Sequence, residues 1–100
     1  MQHNKEFIEA QARIFKALGH PSRLLMVDAL RDGEKCVCDL QALVGDDMST
    51  ISKHLAVLRD AGVVTRRKQG VNIYYRHAAE QIGRPAAAGF FYPKIWQFCQ

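Results

Sequence analysis

The chain has 100 residues, 48% of them apolar and 24% charged, which is the length and composition of one folded domain and excludes a disordered chain or two independent cores. No apolar run is long enough to cross a bilayer, and residues 1–6 lack the apolar region and cleavage site of a signal peptide, so a cytoplasmic protein is expected. The net charge of +4 is uneven: residues 47–76 hold six Lys/Arg against two Asp/Glu, residues 1–46 six against seven, which favours a polyanion docking on one side of the fold.

Residues 5–18 are predicted to form a helix, with Ile8, Ala12 and Phe15 on one stripe and Phe7, Ile14 and Leu18 on the adjoining one. Gly19 ends it. Pro21 suits the first turn of a second helix over 22–31, where no N–H is needed. That helix is apolar nearly all round (Leu24, Leu25, Met26, Val27, Ala29, Leu30) and is expected to be the central buried element, closed by Asp32-Gly33. Residues 34–38 read as a short extended piece. Asp39 then opens a brief helix over 40–44 with Leu40, Leu43 and Val44 pointing inward, and Gly45-Asp46-Asp47 is a tight turn.

The next helix, over residues 47–61, has its own start and stop signals. Asp47 and Ser49 are natural N-caps and Gly62 a natural C-terminal stop. Ile51, Leu55 and Leu58 recur at i, i+4 and i+7 as a single core-facing stripe. The other side shows Ser49, Thr50, Ser52, Lys53 and Arg59, short hydrogen-bonders and cations of the kind that read a DNA major groove. An ordinary amphipathic surface helix would share much of this pattern. What separates the two readings is the setting: a short helix, a glycine-containing turn and a helix with a polar exposed face make a helix-turn-helix. His54 is a DNA-contact candidate that equally suits core packing beside Leu55.

Residues 63–68 and 71–76 form a predicted hairpin, turning at Gln69-Gly70, with Val71, Ile73 and Tyr75 on one face of the return strand and Asn72, Tyr74 and Arg76 on the other. A basic hairpin directly after such a helix reads as the wing of a winged helix, and Arg66, Lys68, Gln69 and Asn72 are its candidate DNA contacts. The expected fold class is therefore mainly α with a small β-hairpin. The last stretch, 78–100, is irregular but crowded with Phe90, Phe91, Tyr92, Ile95, Trp96 and Phe98. It is read as a dimerisation segment of the one domain, with residues 5–77 as the DNA-binding core. Three cysteines in a cytosolic chain are expected to be reduced, so Cys36 and Cys38 read as ligands or redox groups, or else as small buried hydrophobes.

Four blocks carry a resemblance: Ala17-Leu18-Gly19-His20-Pro21-Ser22-Arg23, Cys36-Val37-Cys38-Asp39-Leu40, Ser49-Thr50-Ile51-Ser52-Lys53-His54-Leu55 and Gly70-Val71-Asn72-Ile73-Tyr74-Tyr75-Arg76. In order and spacing over residues 5–77 they resemble the ArsR/SmtB repressors. The resemblance implies a homodimeric winged helix-turn-helix on palindromic double-stranded operator DNA, released by a metal or metalloid and making no membrane contact. The Cys-Val-Cys-Asp-Leu block is similar to the arsenite and antimonite sensors, which implies Cys36 and Cys38 as ligands of a trivalent inducer, with another soft metal ion as the other candidate. Trivalent arsenic is thiophilic, and cysteines at a helix N-terminus beside Lys35 are expected to have lowered thiol pKa values. One departure is Gln41, which stands where such sensors often carry a third cysteine; Cys99 is the remaining thiol. The family's C-terminal zinc and nickel pattern is approached only by His77 and Glu80 and is discounted.

Competing expectations keep DNA binding and change the signal: cadmium, lead or zinc with His3 or Cys99 added, or thiol oxidation or persulfide formation at the same cysteines. A thiol enzyme would need a base beside its nucleophile, and Cys-Val-Cys has no nearby histidine, so no catalytic residue is assigned. A pure interaction module using the aromatic tail would bind DNA only at nonspecific strength.

Overall fold

A computed structural model describes residues 4–78. Helix α1 spans Lys5–Leu18 and is capped by Asn4, whose side chain accepts from the Phe7 N–H at 3.0 Å. Helix α2 spans Pro21–Ala29 and tightens into a 3-10 turn over Leu30–Asp32. Strand β1 is only Lys35–Cys36, and helix α3 follows without a gap over Val37–Val44. Helix α4 covers Met48–Asp60, and strands β2 (Val64–Gln69) and β3 (Asn72–His77) form the hairpin. The sheet is antiparallel in the order β1-β3-β2. No described helix is long and apolar enough to cross a membrane.

The core is made where the helices cross the inner face of the sheet. Ile14, Ala17 and Leu18 from α1, Met26 and Val27 from α2, Leu30, Leu40 from α3, the Ile51–Leu55–Leu58 stripe of α4, Val63, Val64 and Tyr75 form one cluster. Each fully buried Leu or Ile contributes about 1.5–3 kcal/mol relative to exposure. The predicted α4 stripe therefore lies on the core side, and it fixes which face of the helix is left for solvent.

Several expectations change. On α1 the stripe that packs is Gln11, Ile14 and Leu18 with Ala17, while Ile8 and Phe15 stay about half exposed. Both stripes fit the helical period, so periodicity alone could not choose between them. Helix α2 is less buried than its composition implied: Met26 and Val27 are inside, but Leu24 and Leu25 are exposed and the α-helix ends at Ala29. The short helix begins at Val37 rather than residue 40, so Cys36 takes the N-cap position and Cys38 lies in the first turn. Within it Leu40 is fully buried, Leu43 faces solvent rather than the core, and Val44 is half-buried.

The hairpin turns one residue later than predicted. Gln69 pairs with Asn72, and Gly70-Val71 is the two-residue turn. Gly70 has φ +62°, the positive value a tight hairpin of this kind needs at its first central position. Val71 is thereby placed at the tip, 94% exposed, and not on a strand face. The dimerisation segment expected over 78–100 lies outside the described residues except for Ala78, whose N–H bonds the Val63 carbonyl at 3.0 Å.

Candidate nucleic-acid interface and thiol pair

Asp47 starts α4. Its carboxylate accepts from the Thr50 N–H at 2.8 Å, and the Thr50 amide and hydroxyl together hold its carboxyl below the usual carboxylate range. Behind it, Gly45 ends α3 in the left-handed region (φ +90°), with its N–H on the Gln41 carbonyl at 2.8 Å. The Gln41 side chain donates to the Asp46 carbonyl at 3.4 Å. Residue 41 thus steadies the three-residue turn that joins α3 to α4.

With Ile51, Leu55 and Leu58 locked inward, Ser49, Ser52, Lys53 and Arg59 form an exposed strip along α4, and Thr50 is half-buried at its edge. His54 is turned elsewhere. Its ring lies tilted against His20 with centroids 4.5 Å apart. Burial, then the positive potentials of His20 and Arg23, push its imidazole pKa down. His20 in turn caps α2 by accepting the Ser22 N–H on Nδ1 at 3.2 Å. The His54 ring therefore sits against the start of α2.

In the hairpin, Arg66, Lys68, Gln69 and Asn72 are all exposed. Arg67 is not free in the same sense. Its Nε and one terminal nitrogen donate to the two carboxylate oxygens of Glu34, each at 2.7 Å, and its other terminal nitrogen donates to Gln69 Oε1 at 2.6 Å. The guanidinium also lies 4.8 Å from the Tyr74 ring centre. Arg67 holds the Glu34 carboxyl below the usual range, and Glu34 raises the Arg67 guanidinium. No local signal marks this pair, because Glu34 and Arg67 are 33 positions apart and meet only through the sheet.

Cys36 is half-buried and Cys38 exposed at the start of α3, both as free thiols. The expected lowering of the thiol pKa does not hold for Cys38. The neighbouring Cys36 raises it by charge and by hydrogen bonding, burial and Asp39 add to that, and a backbone hydrogen bond opposes them. Two thiols this close disfavour carrying two negative charges at once. Among the described residues no group of three His, Cys, Asp or Glu is placed to hold a metal ion. The donor set is two adjacent thiols. It falls short of a four-ligand zinc cage and suits a thiophilic centre that takes two sulfurs here and a further ligand from elsewhere. His77 is buried with Nε2 2.9 Å from the Val27 carbonyl, a structural position.

The model of the arsR family of bacterial regulatory proteins matches residues 20–66. An uncharacterized HTH-type transcriptional regulator of Methanocaldococcus jannaschii is 43% identical over 72 residues, 70% of this chain and 81% of that protein. The biofilm growth-associated repressor of Agrobacterium fabrum is 38% identical over 73 residues, 73% and 62% of the two chains. The arsenical resistance operon repressor of Escherichia coli is 43% identical over 65 residues, 64% and 56%. The chain thus spans less than two thirds of the last two relatives. Among solved structures, the homodimeric winged helix-turn-helix DNA-binding domain of a possible ArsR-family regulator from Mycobacterium bovis superposes with a TM-score of 0.79 at 27% identity, over 98% of this chain and 87% of that one.

Proposed function

The chain belongs to the arsR family of bacterial regulatory proteins, and from that premise we propose that it is a homodimeric transcriptional repressor released from operator DNA when trivalent arsenic or antimony bridges Cys36 and Cys38. The observation that carries the inducer half is the position of the thiol pair. The two cysteines occupy the N-cap and first turn of α3, and α3 reaches α4 through only Gly45, Asp46 and Asp47. The similarity to the E. coli arsenical repressor points the same way.

In the DNA-bound state the two α4 helices of the dimer enter successive major grooves, about 34 Å apart. Ser49, Thr50, Ser52, Lys53 and Arg59 face base edges and phosphates, and Arg66, Lys68, Gln69 and Asn72 of the wings reach the flanks. His54 supports α4 from its packing against His20 rather than by a base contact. Residues 78–100 supply the dimer contact, and the protein works in the cytoplasm. Each cysteine thiol replaces a hydroxide on the inducer, forming a sulfur–arsenic bond and releasing water. Drawing both sulfurs onto one atom distorts the first turn of α3, and the turn after α3 carries that distortion to α4. The inducer acts only through its higher affinity for the released state.

The test is DNA release against a panel of effectors. Arsenite and antimonite are expected to release the protein at concentrations where cadmium, lead, zinc, peroxide and persulfide do not. Release by peroxide or persulfide alone would move the reading to thiol oxidation. Release by the divalent ions alone would move it to a metal site that recruits further ligands.

A further inference from the structure

We propose that Glu34 and Arg67 are positioning residues that couple the Cys36–Cys38 pair to the wing, so that the thiol state is read by the hairpin as well as by α4. The inference rests on the thiol reading above and adds a second route out of that site.

The route is visible in the sheet register. Cys36 is opposite Tyr74 in the β1–β3 ladder, and Arg67 is opposite Tyr74 in the β2–β3 ladder. Directly opposite residues in a ladder share a face. Cys36, Tyr74 and Arg67 therefore form one row across all three strands, with a candidate ligand at one end and a wing cation at the other. Glu34 lies two residues before Cys36, on the same face of the chain by strand alternation. Its carboxylate reaches back to Arg67 with two hydrogen bonds of 2.7 Å, while Arg67 lies over the Tyr74 ring.

β1 has only two residues, and an edge strand so short is held by few ladder hydrogen bonds. The Glu34–Arg67 pair is then a large share of what ties it to β2. Cys36 is both the last residue of β1 and the N-cap of α3. A ligand that turns Cys36 toward Cys38 cannot leave the end of β1 undisturbed, and the clamp passes that movement to the strand carrying Arg66 and Lys68. Arg67 is engaged by the carboxylate of Glu34 and by Gln69, so its contribution to DNA binding is to hold the wing.

The experiment compares the wild-type dimer with Glu34→Ala, Arg67→Ala and the exchange variant Glu34→Arg/Arg67→Glu. Sodium arsenite binding is followed by the near-ultraviolet absorbance of the arsenic–sulfur bond, and the affinity for a selected duplex is measured with and without arsenite. The single variants are expected to bind arsenite as the wild type does while the arsenite-induced loss of DNA affinity shrinks about two- to fivefold, the range open to an exposed pair. The exchange variant is expected to regain part of it, a rescue that separates the pairing from the loss of either side chain. Normal arsenite binding with undiminished coupling in both single variants would overturn the clamp and leave the thiol reading standing. Absence of arsenite absorbance in the wild type would overturn both.

Discussion

Replacing Arg67 with alanine is expected to leave the salt dependence of DNA binding unchanged, whereas replacing its neighbour Lys68 is expected to reduce it. Apart from Arg67, which is paired with Glu34, the exposed cations of the α4 strip and the wing are Lys53, Arg59, Arg66 and Lys68, and a dimer presents each twice. At roughly 0.9 per phosphate contact, the slope of log K against log salt is about −7. A fourfold rise in salt then lowers affinity by about four orders of magnitude. Lys68→Ala removes one contact per protomer, so the slope falls in magnitude by about two. Arg67 already donates to both Glu34 oxygens and to Gln69, so Arg67→Ala shifts affinity without changing the slope. Fluorescence anisotropy of a labelled duplex at five or six salt concentrations measures this. An Arg67→Ala slope reduced as much as that of Lys68→Ala would refute the assignment of Arg67 to the sheet.

Leu40 is fully buried and is what seats α3 on the core; Leu40→Ala is expected to cost about 2–5 kcal/mol in chemical denaturation, and a loss under 1 kcal/mol would mean α3 is held some other way. His54 has a folded pKa below its unfolded value of about 6.5, so its contribution to stability is full above that pH and is lost as pH falls through the lowered value. The melting temperature is accordingly expected to drop between pH 7 and pH 5, and His54→Gln to weaken that dependence. The raised thiol of Cys38 is protonated at neutral pH. Exchange of a thiol for a hydroxide on arsenic releases water and no net proton, so arsenite affinity is expected to stay flat from pH 6 to 8. A divalent ion must displace the Cys38 proton, and its affinity is expected to rise by about tenfold per pH unit or more. Calorimetric titration at three pH values distinguishes them, and a steep rise for arsenite would contradict the exchange chemistry.

How legible each part was follows from how local its cause is. Helix α4 could be read in full because Asp47, the Ile51–Leu55–Leu58 period and Gly62 are all local signals, and the structure keeps each of them. The hairpin was likewise readable, apart from a one-residue shift of its turn that follows from the φ of Gly70. β1 was not legible as a strand, since two residues carry no periodicity and it exists only because the β3 edge lies beside it. For the same reason α3 starts early: Asp39 is the better N-cap by side chain, but the pairing of Cys36 and the burial of Leu40 set the boundary. The exposure of Ser49, Ser52, Lys53 and Arg59 on α4 and of Arg66, Lys68, Gln69 and Asn72 in the hairpin was readable from pattern, whereas Thr50 is half-buried and His54 is turned against His20. The Glu34–Arg67 pair and the tilted contact of His54 with His20 were not readable, because each joins elements distant in sequence.

Control of DNA binding by Cys36 and Cys38 is tested by the Cys36→Ser/Cys38→Ser variant. On a duplex selected from a random pool, this variant is expected to bind DNA as tightly as the wild type and to stay bound at arsenite concentrations that release the wild type. Release of the variant at the same arsenite concentration as the wild type would contradict it.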